Sequence, residues 1–397
     1  MGSYAGMYVK GRPILWWKNG LSPLVTSLFT KNDIKSGSGQ KGLELIKEYN
    51  LTDYGKDYSA DDTDWEIMIA VIGVKTLRQR LSIYGYNLDI FLNLINELIA
   101  ERAESLSEAA EDMHGYYKEE IEILERLRDN NAPLSALTYK YLERLDFYNE
   151  AMAIWAVLQN KEITDSDVVI IDLDDLAEGG WIDEEFNNTD SDYLLPQGEF
   201  VSEIPVIVTE GVTDKRFLQE SLGIIYPKLA SNIRFLNHDF KPENGASSVI
   251  KMVKSFASAG ISNRILVVLD NDAAASEAML SLPKEMPNNI MVIQYPELEL
   301  LKNYPTIGPQ GVASMDVNGL AGSIEMYLGK DILLDDSGKL EKIQWGGYMQ
   351  SVKKYQGSLL NKGQVQKRFS KKDKNDTSKW ADLQHVWDYI INSLSTL

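Results

Sequence analysis

Two apolar runs that are each followed by acidic residues stand out along the chain. Residues 204–209 and 265–269 are rich in valine, isoleucine and leucine, a pattern that predicts two buried strands. Glu210 follows the first run directly, and Asp270 and Asp272 follow the second. In an open α/β sheet, ligands bind at the edge formed by the carboxyl ends of the strands. The pattern therefore predicts an acidic site at that edge.

Alternating strands and helices surround these two runs. Such an alternation predicts right-handed crossovers and a parallel sheet. Beyond Pro296 the pattern is looser, with a short helix and a final helix near the C-terminus. Apolar runs and helical spacing predict strands at 233–236 and 290–293 and helices at 214–222, 246–259, 273–282, 323–328 and 380–394.

The N-terminal part follows other periods. Residues 1–30 predict a small hairpin with a turn at 11–13, and the Gly/Ser-rich stretch 35–40 predicts a flexible loop. An acidic connector is expected at 53–64, before a region of helical spacing up to Lys161 that predicts a helical bundle. The predicted helical faces are Ile67, Val71 and Val74; Ile90, Phe91, Leu94, Ile95 and Leu98; Ile121, Leu124 and Leu127; and Tyr139, Leu142, Leu145, Tyr148 and Met152.

A further apolar run at 168–171 precedes a second group of acids, Asp172, Asp174 and Asp175. This order resembles the opening motif of phosphatases of the haloacid-dehalogenase type. Leu176 occupies the place of the threonine in that motif, and no later lysine-and-acid pattern completes it. We therefore interpret 168–171 as a connecting strand that leads into an acidic loop at 183–192.

Composition narrows the classes of protein that fit. The 397 residues carry a net charge of −19 and include no cysteine, which excludes disulfides and thiolate metal sites. No apolar run reaches the roughly 20 residues that a membrane span needs, and no signal peptide is evident at Met1. We expect a cytoplasmic protein without a membrane partner. The charge argues against non-specific nucleic-acid binding, although basic residues are concentrated between Lys353 and Lys379.

The acidic edge predicts a site for a hard divalent cation. Carboxylate oxygens from Glu210, Asp214, Asp270 and Asp272 suit Mg²⁺ or Mn²⁺. Nearby like charges would raise the pKa of Glu210 and favour it as a general base if it is not a ligand. Gly211 would let a phosphate approach the backbone closely. The structural alternative is that an aspartate caps the next helix, but one aspartate would satisfy that cap.

The two motifs, Val206-Ile207-Val208-Thr209-Glu210-Gly211-Val212-Thr213-Asp214 and Val267-Val268-Leu269-Asp270-Asn271-Asp272, resemble those of TOPRIM domains. TOPRIM is the metal-binding fold of topoisomerases, bacterial primases and OLD-type nucleases. The resemblance implies that Asp214 joins the metal ligands and that Glu325 is a further candidate ligand. The alternative for Glu325 is a packed surface glutamate without a metal. It also implies a lysine after the sheet that opposes transition-state charge. We assign Lys362 to that role, with Lys215, beside Asp214, as the alternative.

Over nearly the whole length the chain resembles bacterial HEPN/Toprim-associated proteins. The segments that carry this likeness include the first four residues, Asn263-Arg264, 304–309 and 316–325. The implied fold is an α/β TOPRIM domain preceded by an all-helical HEPN-like domain. We expect a hairpin segment at 1–60, the helical domain at 61–165, a connector at 166–202, the TOPRIM domain at 203–335 and a basic C-terminal region at 336–397.

The helical domain departs from HEPN ribonucleases, which carry an arginine four to six residues before a histidine. His114 is its sole histidine, and the nearest preceding arginine is Arg102. We therefore expect this domain to serve assembly or partner binding.

The resemblance implies a metal-dependent nuclease that acts in prokaryotic defence against phage. Its expected partners are DNA or RNA and a second copy of the chain. Because the chain has no P-loop motif for nucleotide binding, any ATP-driven sensing would require a partner defence protein. Two alternatives remain: a non-enzymatic scaffold or regulator, and a TOPRIM ribonuclease acting on RNA such as tRNA.

Overall fold

The computed structural model describes residues 2–54, 65–134, 142, 150–182, 204–238 and 245–397. The chain divides into two compact units, Met1–Ser202 and Glu203–Leu397.

An antiparallel sheet of five strands lies at the centre of the N-terminal unit. Its strands, in spatial order, are β2 (Arg12–Lys18), β1 (Tyr4–Val9), β5 (Val168–Asp172), β4 (Glu66–Gly73) and β3 (Ile34–Ser38). The helices whose bounds are described in this unit are α1 (Pro23–Leu28), α2 (Gly39–Glu48), α3 (Val74–Ile83), α4 (Leu88–Glu108), α5 (His114–Arg128), α6 (Glu150–Leu158) and α7 (Asp174–Glu178).

Local sequence signals account for several of these elements. The predicted hairpin is confirmed as β1 and β2, whose turn places Lys10 and Gly11 at φ angles of 47° and 72°. Positive φ at both central positions matches the right-handed twist of a hairpin. The predicted helices over 90–98 and 121–127 are confirmed as α4 and α5, and the Asn87 side chain caps α4.

The expectation of an all-helical region is wrong for the described residues. Strand β4 takes the place of the helix predicted through Ile67 and Val71, and only Val74 is helical, as the first residue of α3. Strand β3 and the start of α2 replace the predicted loop at 35–40. Ile67, Ile69 and Val71 also recur at intervals of two, and β-branched residues favour strands. Pairing with β3 and β5 on its two sides decides between the two periods in favour of the strand.

Two of the acids that follow residues 168–171 accept hydrogen bonds from the main chain of neighbouring strands β4 and β1. The predicted strand is confirmed as β5, which pairs with both β1 and β4. Asp174 accepts a hydrogen bond from the Met68 amide, and Asp175 Oδ2 accepts one from the Tyr4 amide at 2.7 Å. Most of the expected connector at 53–64 and the acidic loop at 183–192 lie outside the described residues. Of the predicted helical face from 139 to 152, Leu142 and Met152 are helical and buried, and the other three members lie outside the described residues.

The C-terminal unit contains the predicted parallel sheet. Its strands lie in the order β10 (Ile290–Gln294), β8 (Ile265–Leu269), β6 (Val206–Thr209) and β7 (Arg234–Phe235). The predicted helices are confirmed as α8 (Val212–Ile225), α9 (Ala246–Ser258) and α10 (Ala273–Met279), followed by α11 (Lys330–Leu333), α12 (Lys362–Phe369) and α13 (Ala381–Thr396).

Helices cover both faces of this sheet. Val249 and Val253 of α9 pack with Val267 of β8 in one buried cluster. On the other face, Trp387 of α13 lies edge to face with Phe235 of β7, with ring centroids 6.3 Å apart. Because both faces are covered, the strands are almost entirely apolar, as the sequence pattern indicates.

The sequence does not reveal a second sheet in the same unit. Its strands lie in the order β12 (Gly311–Met315), β11 (Tyr304–Gly308), β14 (Ile343–Met349) and β15 (Lys354–Leu359). These strands contain glycine and exposed polar or aromatic residues, so they lack a clear apolar period. A two-stranded ladder joins β9 (Asn271–Asp272) to β13 (Ala321–Gly322). The predicted helix at 323–328 is a short 3₁₀ turn, Ile324–Tyr327.

Across the described ranges, no helix is long and apolar enough to cross a membrane.

Replacing Leu266 with Ala should lower the free energy of unfolding by roughly 2–5 kcal/mol, because the side chain is fully buried in β8 and its removal leaves a cavity. Leu280→Ala is the matched control, since Leu280 is 64% exposed. That variant should lie within about 0.5 kcal/mol of the parent. Urea unfolding followed by circular dichroism measures both. Equal destabilisation of the two variants would show that β8 is not the core strand of this unit.

Candidate active site

The register of three parallel strands brings the first site residues together. Thr209 of β6 pairs with Val268 of β8, and Gln294 of β10 pairs with Leu269. The residues that follow, Glu210, Asp270 and Tyr295, therefore leave the sheet side by side at its carboxyl edge. One Glu210 oxygen, Oε1, accepts a hydrogen bond of 2.7 Å from the Asp270 amide.

Asp270 is a buried carboxylate of this edge with a strongly perturbed pKa. Its Oδ1 atom is buried and has no hydrogen-bond partner among the described residues. Burial raises the pKa of Asp270 well above its usual value, and the charges of Asp214, Glu210 and Asp272 raise it further. The Lys362 ammonium opposes these effects. A carboxylate in this position needs either a proton or a nearby positive charge.

Asp214 lies in the first turn of α8 and is buried. Burial, followed by the charge of Glu325, raises its pKa to about 6, although the Tyr295 hydroxyl donates to Oδ1 at 3.3 Å. Gly211 precedes this helix with extended backbone, so its φ angle does not require glycine. A Cβ at Gly211 would lie 3.2 Å from Asp214 Oδ2. Glycine there leaves room around that carboxylate.

Asp272 has the structural role that the sequence offered as an alternative. Its Oδ1 caps α10 by accepting from the Ala275 amide at 2.8 Å. Its Oδ2 accepts from Gln356 Nε2 of β15 at 2.7 Å. Capping therefore uses one oxygen, and the other faces the second sheet. Residues 270–272 form the Asp-x-Asp loop, and Gln294 steadies it by donating to the main-chain oxygens of Asp270 and Asp272, at 2.9 and 3.2 Å.

The ladder between β9 and β13 brings Glu325 to the site. A Cβ at Gly322 would lie 2.8 Å from the Asn271 carbonyl oxygen, so this close pairing requires glycine. Glu325 is 4% exposed and accepts hydrogen bonds from Ser323 at 2.8 Å and Gln366 at 2.9 Å. Lys362 Nζ lies 3.4 Å from Glu325 Oε2.

The Glu325–Lys362 pair keeps both groups charged. Burial alone would raise the pKa of Glu325, but the Lys362 charge and the bonds from Gln366 and Ser323 lower it overall. Burial would lower the pKa of Lys362, yet the charges of Glu325, Asp270 and Asp214 raise it overall. The ammonium of Lys362 therefore lies within electrostatic reach of several site carboxylates. Lys215, the alternative basic residue, is half-buried in α8 and forms no side-chain hydrogen bond or ion pair with the described residues.

Most of the predicted site residues therefore lie close together. The residues concerned are Glu210, Gly211, Asp214, Asp270, Asp272, Glu325 and Lys362. Within the described ranges, however, no three carboxylate or histidine side chains form a ready-made coordination shell. Several of the carboxylate oxygens already accept hydrogen bonds from main-chain or side-chain amides. The all-oxygen donor set and the unpartnered Asp270 Oδ1 nevertheless fit a hard divalent cation.

The sequence did not identify several residues that shape this site. Tyr295 directly follows strand β10, the position that Glu210 and Asp270 have after β6 and β8, so its place at a strand end was visible in the sequence. Gln356 and Gln366 carry no local signal, because they come from β15 and α12, far along the chain.

His114 and Arg102 of the helical region contact different residues. His114 Nε2 lies 3.2 Å from the Ala109 carbonyl oxygen, near the start of α5. Arg102 of α4 forms an ion pair with Glu120 of α5 at 2.9 Å. These contacts join the two helices of a hairpin.

Comparison with known proteins gives one match. Residues 1–131 match the family described as HEPN/Toprim N-terminal domain 1. This match supports the resemblance to HEPN/Toprim-associated proteins, and it ends before the residues of the acidic site. Neither the curated proteins nor the solved structures include a match to the chain.

Replacing Asp270 with Asn should stabilise the protein in EDTA at pH 8, by roughly 1–3 kcal/mol, because a buried charge without a partner is removed. The folded-state pKa of Asp270 lies above its unfolded value, so its contribution to stability is present below the unfolded pKa and is lost as pH rises through the folded pKa. The advantage of Asn should therefore shrink as pH falls. Urea unfolding across pH measures it.

Asp336→Asn is the control for that comparison, since Asp336 is exposed in the same unit. It should leave stability unchanged at every pH. If Asp270→Asn destabilises the protein at pH 8, the carboxylate is compensated in the folded state and the electrostatic description of this edge is wrong.

Proposed function

We propose that the C-terminal unit is a TOPRIM-type nuclease centre that hydrolyses phosphodiester bonds in nucleic acid with Mg²⁺ or Mn²⁺. The observation that carries the proposal is the buried Oδ1 of Asp270, which lacks a hydrogen-bond partner among the described residues. Burial, followed by the charges of three further carboxylates, raises the pKa of Asp270 at the sheet edge where α/β folds bind ligands. The name of the family matched at residues 1–131 includes Toprim and suggests a nuclease-type role.

Asp270, Asp272, Asp214 and Glu210 are the residues proposed to hold the cation, with Glu325 as a further ligand. When bound, the cation would polarise the scissile phosphate and lower the pKa of an attacking water. Carboxylate oxygen is the donor that both proposed metals prefer. Glu210 is the proposed general base if it is not a ligand, because like charges beside a carboxylate raise its pKa.

Lys362 is proposed to stabilise the negative charge that develops on the phosphate. Its ion pair with Glu325 orients the ammonium, while Ser323 and Gln366 hold Glu325 in place. A preorganised positive group contributes more in a buried site than in water. Tyr295 holds Asp214 by its hydrogen bond, and Gln294 holds the backbone of the Asp-x-Asp loop. Gly211 keeps the space beside Asp214 open to a phosphate.

Cleavage assays test this proposal. Plasmid, single-stranded DNA and total RNA are incubated with the parent, Asp270→Asn or Asp336→Asn protein, in Mg²⁺, Mn²⁺ or EDTA. The parent and Asp336→Asn should cut in metal but not in EDTA, and Asp270→Asn should be slower on the order of 100-fold or more, because a metal ligand is lost. The substrate that is cut distinguishes a deoxyribonuclease from a ribonuclease acting on RNA such as tRNA.

Lys362→Ala in the same assay should lower the rate by roughly 100- to 1,000-fold, as loss of a transition-state contact does. Lys367→Ala is its control, because Lys367 is exposed on the same helix α12. If the Asp270→Asn protein cuts as fast as the parent, the site is wrongly assigned. If no substrate is cut in either metal, the scaffold alternative replaces the nuclease.

We also propose that the protein acts in the cytoplasm as an effector of defence against phage, with a partner protein for any ATP-driven sensing. The support is the resemblance to HEPN/Toprim-associated proteins and the match over residues 1–131. Phage plaques on bacteria that express the parent should be fewer than on bacteria that express Asp270→Asn. Equal plaque counts would contradict the defence role.

A further inference from the structure

A groove of about 590 Å³ opens on the second sheet of the C-terminal unit. Residues from β11, β12, β14 and β15 line it, and none of them belongs to the acidic site described above. Its volume falls within the roughly 300–1,000 Å³ of pockets that bind organic ligands. The side chains that define its chemistry are Met315, Trp345, Lys353, Lys354 and Tyr355.

Exposed aromatic rings lie in this groove and beside it, where Tyr348 is adjacent to the lining residue Tyr355. Tyr355 is 56% exposed and Tyr348, its cross-strand partner, is 43% exposed. The two rings meet edge to face with centroids 4.9 Å apart. Trp345 lines the groove from the same strand as Tyr348. Exposed aromatic faces on a sheet are platforms on which unpaired bases stack.

Two lysines give the groove positive charge. Lys353 lies at the tip of the β14–β15 hairpin with φ 55°, and Lys354 begins β15. Within the described part of the chain, neither lysine forms an ion pair. Most other basic residues between 353 and 379 do form ion pairs: Lys362, Arg368, Lys372, Lys374 and Lys379 pair with Glu325, Glu341, Asp331, Glu220 and Asp376. The groove therefore retains positive charge in a protein of net charge −19.

Strand β15 connects the groove to the acidic site. Lys354 and Gln356 lie on the same face of the strand, about 7 Å apart. Gln356 donates to Asp272 Oδ2 at 2.7 Å. A Cβ at Gly319 would lie 3.2 Å from Lys354 Nζ and 3.8 Å from Asn271 Oδ1, so the ammonium is next to the Asp-x-Asp loop.

We propose that this groove binds single-stranded nucleic acid, with bases stacked on Tyr355 and Trp345 and phosphates held by Lys353 and Lys354. Stacking requires unpaired bases, which a duplex keeps inside its own helix. The exposed edge strand β12 would also suit an added peptide strand. A peptide partner would leave the exposed aromatic pair and the two lysines unexplained. That the bound strand leads to Asp270 rests on the proposed nuclease function, whereas binding itself does not.

Fluorescence anisotropy in EDTA tests binding without cleavage. The probes are a labelled single-stranded oligonucleotide and a duplex of the same sequence. The parent should bind the single strand more tightly. Tyr355→Ala should weaken that binding about tenfold or more, because one stacked base is lost. Tyr355→Phe should restore it, and Lys354→Ala should reduce the slope of log affinity against log salt by about 0.7.

Matched controls are Tyr389→Ala and Lys251→Ala. Tyr389 is 37% exposed on α13, and Lys251 is exposed on α9. Both variants should bind as the parent does. Equal affinity of the parent for single strand and duplex would overturn the proposal. So would unchanged binding in Tyr355→Ala, or no oligonucleotide binding by the parent, the result expected if a peptide occupies the groove.

Failure of this proposal and failure of the nuclease give different results. If the parent cuts nucleic acid but Tyr355→Ala binds and cuts equally well, the groove assignment falls and the metal centre stands. If Tyr355→Ala loses binding in EDTA while the parent cuts nothing with any metal, the groove stands and the nuclease falls.

Discussion

The side-by-side pairing of β6, β8 and β10 is the constraint on which the candidate site depends. Parallel register places Glu210 and Asp270 at one edge, where their charges and that of Asp214 raise the pKa of neighbouring groups. Placing like charges close together in a site that is partly shielded from solvent is unfavourable unless they are paired, protonated or coordinated to a metal. The surrounding hydrogen bonds from Tyr295, Gln356 and the main chain offset part of that cost. We propose that a divalent cation offsets the rest of the cost of gathering these charges.

The second sheet of the C-terminal unit gives this arrangement its supports. Its strand β15 supplies Gln356 to Asp272, and the β9–β13 ladder brings Glu325 within reach of Lys362. The same strand β15 carries Lys354 and Tyr355 into the aromatic groove. Strand β15 thus connects the groove proposed to bind single-stranded nucleic acid with the loop proposed to hold the metal. Because Gln356 of β15 donates to Asp272, a shift of β15 would change the hydrogen bonding of Asp272 directly.

The N-terminal unit has its own core and its own buried charges. Arg80, which is 1% exposed, bonds to Asp33 at 2.6 Å and to the Leu28 carbonyl oxygen at 2.7 Å. The five-stranded sheet of the N-terminal unit explains why helical spacing was misleading at residues 66–73. Residues 66–73 satisfy both a helical and a two-residue period, and neighbouring strands offer main-chain partners that a helix could not use. The match to the HEPN/Toprim N-terminal domain 1 family falls within this unit.

The sequence by itself determined the parallel sheet, its helices and the acids at its strand ends, because buried strands and amphipathic helices leave local periods and a strand end is visible in them. Only the tertiary structure decided which groups meet those acids. The bond from Gln356 to Asp272 joins residues 84 positions apart, and that from Gln366 to Glu325 joins residues 41 apart. The strands of the second sheet and β4 were likewise decided by partners distant in sequence. Such pairings depend on how separate segments fold against each other, and no local period records them.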